Sequence, residues 1–213
     1  MRRLFVGSFI TLALGISGQG ANLVTNGSFE AQVVPDNFYL EATTPTGWLS
    51  YGAQAPDILT VGYSGGTAAD GVNYMDLIGG GVGVLPAGIR QDLTLTAGIT
   101  YAVSFAYNGD FNSPRFLNYS LGSLLAGSID VSALNNFSAL NPNTTVWQLF
   151  SAEVTPVVSG TYSLAFYTAS GVFGSPYVDN VSVEAVTVPE TSALMALLGA
   201  AGTVVLLRRC RRG

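Results

Sequence analysis

Between Ala21 and Val188 separate runs of residues alternate apolar with polar, and none shows the three-to-four spacing of a buried helix face. That periodicity confines the chain to strands. Ile89, Gln91, Leu93 and Leu95 alternate up to Thr96-Ala97-Gly98, after which Tyr101, Val103, Phe105 and Tyr107 take one face and Ala102, Ser104 and Ala106 the other. Two alternating runs around a short glycine-containing link predict a hairpin. A second pair is predicted where Val146 to Val154 meets a turn at Pro156 to Gly160 and Tyr162, Leu164 and Phe166 then alternate with Thr161, Ser163 and Ala165. The last strand is predicted at Tyr177 to Val186, with shorter ones around Leu23 to Phe29, Trp48 to Tyr51, Ile58 to Val61, Asn73 to Leu77 and Asn118 to Ile129. Short strands punctuated by glycine, asparagine, proline and serine are the pattern of an all-β sandwich.

Charge narrows the function. Residues 22–190 hold two arginines against all 13 acidic residues of the chain, a net charge of −11, and there is no lysine or histidine anywhere. Nucleic acid is excluded, because phosphate contacts need clustered lysine and arginine. The glycine-rich loops Gly62 to Gly71 and Gly79 to Gly88 likewise lack the lysine and following helix of a phosphate cradle. Without histidine or lysine there is no imidazole-based triad and no Schiff base, and the single cysteine, Cys210, lies near the C-terminus. A glycosidase-type carboxylate pair is the remaining route to catalysis. Asp57, Asp70, Asp76, Asp92 and Asp110 supply candidates but no diagnostic spacing, so the domain is expected not to be an enzyme.

Both ends read as addresses. Arg2-Arg3, the apolar segment Leu4 to Ile16 and the small residues Gly18 and Gly20 fit a secretory signal peptide over residues 1–21. At the other end, 188–213, Val188-Pro189-Glu190-Thr191 precedes a run from Thr191 to Leu207 without charge, followed by Arg208, Arg209, Arg211 and Arg212. Those 17 residues span roughly 25 Å as a helix, enough for a thin bilayer, with the arginines as a cytoplasmic stop. A Pro-Glu pair, an apolar helix and terminal arginines in this order resemble the PEP-CTERM sorting signal of bacterial exosortase substrates. The resemblance implies a membrane-bound stage, cleavage near Pro189-Glu190 by an exosortase-like enzyme, and delivery to the cell surface or extracellular matrix alongside exopolysaccharide. Thr191 stands where the family usually has a second proline. An ordinary C-terminal membrane anchor is the alternative.

Between the ends, residues 22–187 carry a series of separated signatures: Asn26-Gly27-Ser28-Phe29-Glu30, Gly47-Trp48, Asp70 to Leu77, Ile89 to Leu93, Gly98 to Phe105, Trp147 with Phe150, and Tyr177 to Val183. In this order they resemble the galactose-binding-like jelly roll of extracellular carbohydrate-binding modules. The resemblance implies an antiparallel jelly-roll β-sandwich, with Phe29 in the core beside Trp48 or Trp147. It also implies a structural calcium ion held by Glu30 and Asp179. Strand parity groups Asp179 with Tyr177, Val181, Val183 and Ala185, which aims a carboxylate at the apolar side, and a buried carboxylate must be paired or coordinated. The alternative is that Asp179 caps a turn or bulge and Glu30 is solvated.

A sugar site needs an aromatic face and a few hydrogen-bonding groups. The stretch containing Tyr107, Asn108, Asp110, Phe111 and Arg115 offers both at a strand end, and Trp48, Tyr51 and Tyr119 extend it unless they are core. The sequence therefore predicts a secreted, surface-sorted protein that binds extracellular polysaccharide without catalysis. A structural cell-surface or matrix role without a specific ligand is the rival.

Overall fold

The structure, a computed structural model, describes residues 20–52, 54–79, 85–110, 115–139, 144–169 and 175–186. Residues 1–19 of the signal-peptide segment, the tail from Val188 to Gly213 and Phe111 lie outside the described residues. Among the described residues no helix is long and apolar enough to cross a membrane. Ala21–Ala185 form one compact unit.

Among the described residues eleven strands make two antiparallel sheets. In chain order they are β1 (Tyr39–Leu40), β2 (Leu49–Gly52), β3 (Asp57–Thr60), β4 (Asn73–Asp76), β5 (Ala87–Leu95), β6 (Tyr101–Gly109), β7 (Phe116–Leu121), β8 (Leu125–Asp130), β9 (Gln148–Val154), β10 (Gly160–Thr168) and β11 (Pro176–Ala185). The six-stranded sheet runs β1-β3-β4-β11-β6-β9 and the five-stranded sheet β2-β5-β10-β7-β8. The only helical piece among the described residues is a 3₁₀ turn at Tyr63–Gly65.

Alternation gives each sheet one buried face. Ile89, Leu93 and Leu95 of β5, Leu164 and Phe166 of β10, and Leu117 and Leu121 of β7 meet Ile58, Met75, Val103, Phe105, Val178, Val181 and Val183 of the other sheet in one core. Phe105 lies at its centre, 4.8 Å from the Phe166 ring across the sandwich and 4.7 Å from Phe150 beside it. Each such side chain contributes about 1.5–3 kcal/mol by leaving water. Gln91 is buried among them without penalty, because its side chain accepts from the Thr25 N–H and donates to the Thr25 and Gly47 carbonyls.

Four sequence expectations change. β5 and β6 are not a hairpin: β5 pairs with β2 and β10, β6 with β9 and β11, so residues 96–100 arch from one sheet to the other. The same holds for β9 and β10. The two arches are tied where the Gly98 N–H donates to the Pro156 carbonyl at 2.9 Å. Asn118 to Ile129 is not one strand but the β7–β8 hairpin, turning at Gly122 with φ 51°. No strand forms at Leu23 to Phe29. This segment is held by side-chain and single backbone bonds, and Asn26 and Phe29 adopt positive φ, 53° and 61°. Phe29 still enters the core, its ring 5.7 Å from Trp48, whose indole N–H donates to the Asn26 carbonyl.

Candidate functional site

The site follows from one irregularity in β11. Val178 pairs with Tyr107 and Asp179 with Ala106, the register then shifts, and Ser182 pairs with Ser104. Asn180 takes the extra residue, in the left-handed region at φ 49°. The shift breaks the parity expected from sequence. Val178, Val181 and Val183 point into the main core, whereas Tyr177 and Asp179 point to the opposite, outer face of the six-stranded sheet. Asp179 is therefore not aimed at the apolar interior of the sandwich.

That outer face is covered by its own aromatic cluster. Leu59, Tyr74, Phe137 and Tyr177 are buried there, with Tyr39, Tyr63 and Trp147 packed against them. Register places Tyr39 opposite Leu59 and Leu59 opposite Tyr74, so β1, β3 and β4 present a continuous row. The neighbouring row runs from Asp57 on β3 to Asp76 on β4, then to Tyr177 on β11 and Asn108 on β6. Two loops build walls upon it. Asn136 accepts from the Thr67 N–H and donates to the Thr67 carbonyl at 2.8 Å, and the Trp147 indole N–H donates to the same carbonyl at 2.9 Å, bracing the 61–72 and 131–147 segments together.

Between these walls lies a cavity of about 150 Å³, lined by Tyr39, Asp57, Leu59, Tyr63, Asp76 and Tyr177, with Gly79, Asp110 and Phe137 completing it. The ring centroids of Tyr39 and Tyr63 are 5.1 Å apart, and Phe137 stands 5.4 Å from Tyr177. Asp57 accepts the Ala42 N–H at 2.7 Å, and Asp76 accepts those of Ile78 and Gly79, both at 2.9 Å. Enclosure of its carboxyl raises Asp76 to about 6, with Asp57 adding to the rise and hydrogen bonds from Ser175, Gly79 and Ile78 opposing it. Burial also pushes the Tyr177 and Tyr63 hydroxyls up, assisted at Tyr177 by Asp76 and Tyr74 against the opposing Arg115, and at Tyr63 by Tyr39, Asp76 and Asp57. The Tyr177 hydroxyl is fully buried and has no hydrogen-bond partner among the described residues.

The residues singled out in sequence scatter around this site. Asp110 lines the cavity and is ion-paired to the buried Arg115, which also donates to the Asp110 carbonyl. Burial lowers the Arg115 pKa. Asn108 is buried and structural, accepting from the Gly109 N–H and donating to the Thr145 carbonyl. Tyr107 belongs to the other side of the sheet, packed against the main core. Trp48 and Tyr119 also pack in that core, and Tyr51 stacks on Tyr167 at 4.3 Å on the five-stranded sheet. Of the candidate aspartates, Asp57, Asp76 and Asp110 meet in the cavity, while Asp92 faces Arg90 elsewhere at 3.5 Å and Asp70 lies on the loop that Asp179 holds. Tyr39, Tyr63, Phe137 and Tyr177 had no local signal. Only register and loop closure bring them together.

Glu30 and Asp179 hold that same loop. Asp179 accepts the N–H groups of Ala69 at 2.7 Å, Asp70 at 2.9 Å and Asn180 at 2.7 Å, and Glu30 accepts those of Val72 and Asn73 at 2.8 and 2.7 Å. Asp179 Oδ2 and Glu30 Oε1 thus each take two N–H groups of this loop. Among the described residues no three His, Cys, Asp or Glu side chains are grouped to hold a metal ion. Burial raises Asp179 to about 7, and the three N–H bonds only partly offset it.

No family model matches the chain, and no curated protein matches it. Several solved structures are similar to it over part of its length. "CBM4 structure and function" is 19% identical over 76% of this chain and 99% of its own, with TM-score 0.43. TmCBM61 in complex with β-1,4-galactotriose is 17% identical over 76% and 97%, with TM-score 0.44. The N-terminal cellulose-binding domain from Cellulomonas fimi β-1,4-glucanase C is 12% identical over 79% and 100%, with TM-score 0.45. At these identities none transfers a residue's role to this chain.

Proposed function

We propose that this protein binds extracellular carbohydrate without catalysis, with the ligand seated on the outer face of the six-stranded sheet. The observation that carries this reading is the cavity itself, in which Tyr39, Tyr63 and Phe137 stand beside Asp57, Asp76 and Asp110. Aromatic rings cover the apolar face of a pyranose while carboxylates accept its hydroxyls, and that pairing of groups is what sugar recognition requires. Secretion through the N-terminal segment, and sorting by an exosortase-like enzyme at Val188-Pro189-Glu190 from a membrane-held precursor, complete the proposal and rest on the sequence of the two ends.

Loss of retention by a Tyr39→Ala/Tyr63→Ala variant on a polysaccharide affinity gel, at unchanged melting temperature, is the expected result. Undiminished retention would move the site elsewhere, and no retention of the parent protein on any of a panel of glycans would favour the purely structural role. Asp57 and Asp76 sit side by side on adjacent strands. Glycosidase carboxyls flank the scissile bond from opposite sides, so no release of reducing ends from a bound polysaccharide is expected.

A further inference from the structure

The two arches that carry the chain from one sheet to the other end in apolar side chains that stand in solvent. Ile99 of the first is 40% exposed, and Val157 and Val158 of the second are 89% and 65% exposed. Neither arch, residues 96–100 or 155–159, contains a charged residue. The tips are also fixed to one another. The Gly98 N–H donates to the Pro156 carbonyl at 2.9 Å, the Ala97 N–H to Ser159 Oγ at 2.8 Å, and the hydroxyls of Thr100 and Thr155 meet at 2.9 Å. A single exposed valine is ordinary, but three β-branched side chains on two braced, uncharged loops make a patch.

The end of the domain supplies the partner. The last residues of β11 lie beside the first arch, because Ala185 pairs with Tyr101, which follows directly on residues 96–100. The charge-free run to Leu207 begins six positions further on, at Thr191. Six residues reach at most about 20 Å, so a bilayer holding that run lies within this distance of the arches. The cavity is at the other end of the same two strands, where Tyr177 pairs with Asn108, seven residues or roughly 23 Å from Tyr101.

We propose that the arch tips are a lipid-docking surface: in the membrane-held precursor Ile99, Val157 and Val158 enter the interfacial layer of the bilayer and hold the cavity facing away from it. The inference rests on the membrane-held stage proposed above. Three side chains are far too little area to hold a soluble partner, which needs about 800 Å² on each side. A bilayer to which the chain is already joined needs only a weak contact, since the tether supplies the concentration. Adsorption here is apolar and independent of anionic lipid, as the arches carry no arginine or lysine. It is shallow as well, because Glu153 and Glu184 flank Ala102 one residue behind the first arch and stay in water.

The test places the full chain, with Cys210→Ser, in vesicles of neutral phosphatidylcholine carrying a lipid-attached quencher. A fluorophore is joined at Ala97→Cys on the first arch, or at Ala169→Cys, an exposed position past the opposite end of β10. Quenching should be several-fold stronger at the arch, and Ile99→Asp/Val158→Asp should reduce it there at least twofold at unchanged melting temperature. Val157→Ser, which removes one tip without adding charge, carries the test if the aspartate pair fails to fold.

Equal quenching at the two positions overturns the docking surface and leaves the membrane-held stage standing. Arch quenching that the tip substitutions leave unchanged does the same, since the tether alone then brings the arch close. A chain that does not float with the vesicles overturns both. Sedimentation as a dimer in detergent that Ile99→Asp/Val158→Asp converts to a monomer gives the tips to a second copy, and overturns the lipid.

Discussion

At the scale of single residues, burial sets the behaviour of Asp179 and Asp76 against that of an ordinary carboxylate. Asp179 is raised from 3.8 to about 7 and Asp76 to about 6, in both cases chiefly by burial. The native state thus holds protons more tightly than the unfolded chain. Stability from this source is complete below pH about 4, falls as pH rises through 6 and 7, and is gone above. The melting temperature should accordingly be higher at pH 5 than at pH 8, and Asp179→Asn should flatten that dependence; a melting temperature that rises toward pH 8 would contradict it. A second expectation concerns metal. Since Asp179 Oδ2 and Glu30 Oε1 hold the 69–73 loop through four N–H groups without an ion, a chelator should leave the melting temperature where it was. A drop restored by calcium would place an ion beside them.

At the scale of elements, the bulge in β11 decides which side chains reach the site. Were β11 regular through Asn180, Tyr177 and Asp179 would share the face of Val181 and Val183 and enter the core; the bulge puts them on the opposite face. Asn180 is held at φ 49°, which asparagine and glycine tolerate and a β-branched residue does not. Asn180→Val should cost about 1–3 kcal/mol in a urea titration and weaken ligand binding with it, whereas Asn180→Gly should stay within about 0.5 kcal/mol of the parent. Equal stability of the two variants would mean that the bulge migrates. Element identity itself was legible: β5, β6, β10 and β11 lie where alternation placed them. Their pairing was not. A run such as Ile89 to Leu95 announces that it has one buried face, but the alternation is the same whether the next strand pairs beside it or arches over to the facing sheet.

At the scale of the whole molecule, the charge distribution selects among partners. A net charge of −11 over residues 22–190 repels polyanions, and Arg90 and Arg115 are both tied to aspartates. The protein should pass through a heparin column unretained even at low ionic strength, and retention there would contradict this repulsion. Sequence reasoning found Asp57, Asp76 and Asp110 as carboxylates worth watching, and it placed Asp110 with Arg115 as neighbours in a loop. It assigned Tyr107 to a binding surface, where the structure turns it toward the core. Residues 39, 63, 137 and 177 meet across gaps of 24 to 74 positions, and no local pattern spans such distances.

What the sequence by itself determined are the properties carried by residues one at a time or at period two: an all-β chain, the absence of imidazole and amine chemistry, the acidity of the domain, and the apolar, arginine-flanked ends. The tertiary structure alone decided which strands became neighbours, that β11 is bulged, and that three aspartates and the Tyr177 hydroxyl share one cavity. The physical reason is range. Alternation and charge are written in adjacent residues, but register and loop closure are settled by the packing of two sheets against each other, where a single inserted residue chooses the face on which every later side chain appears.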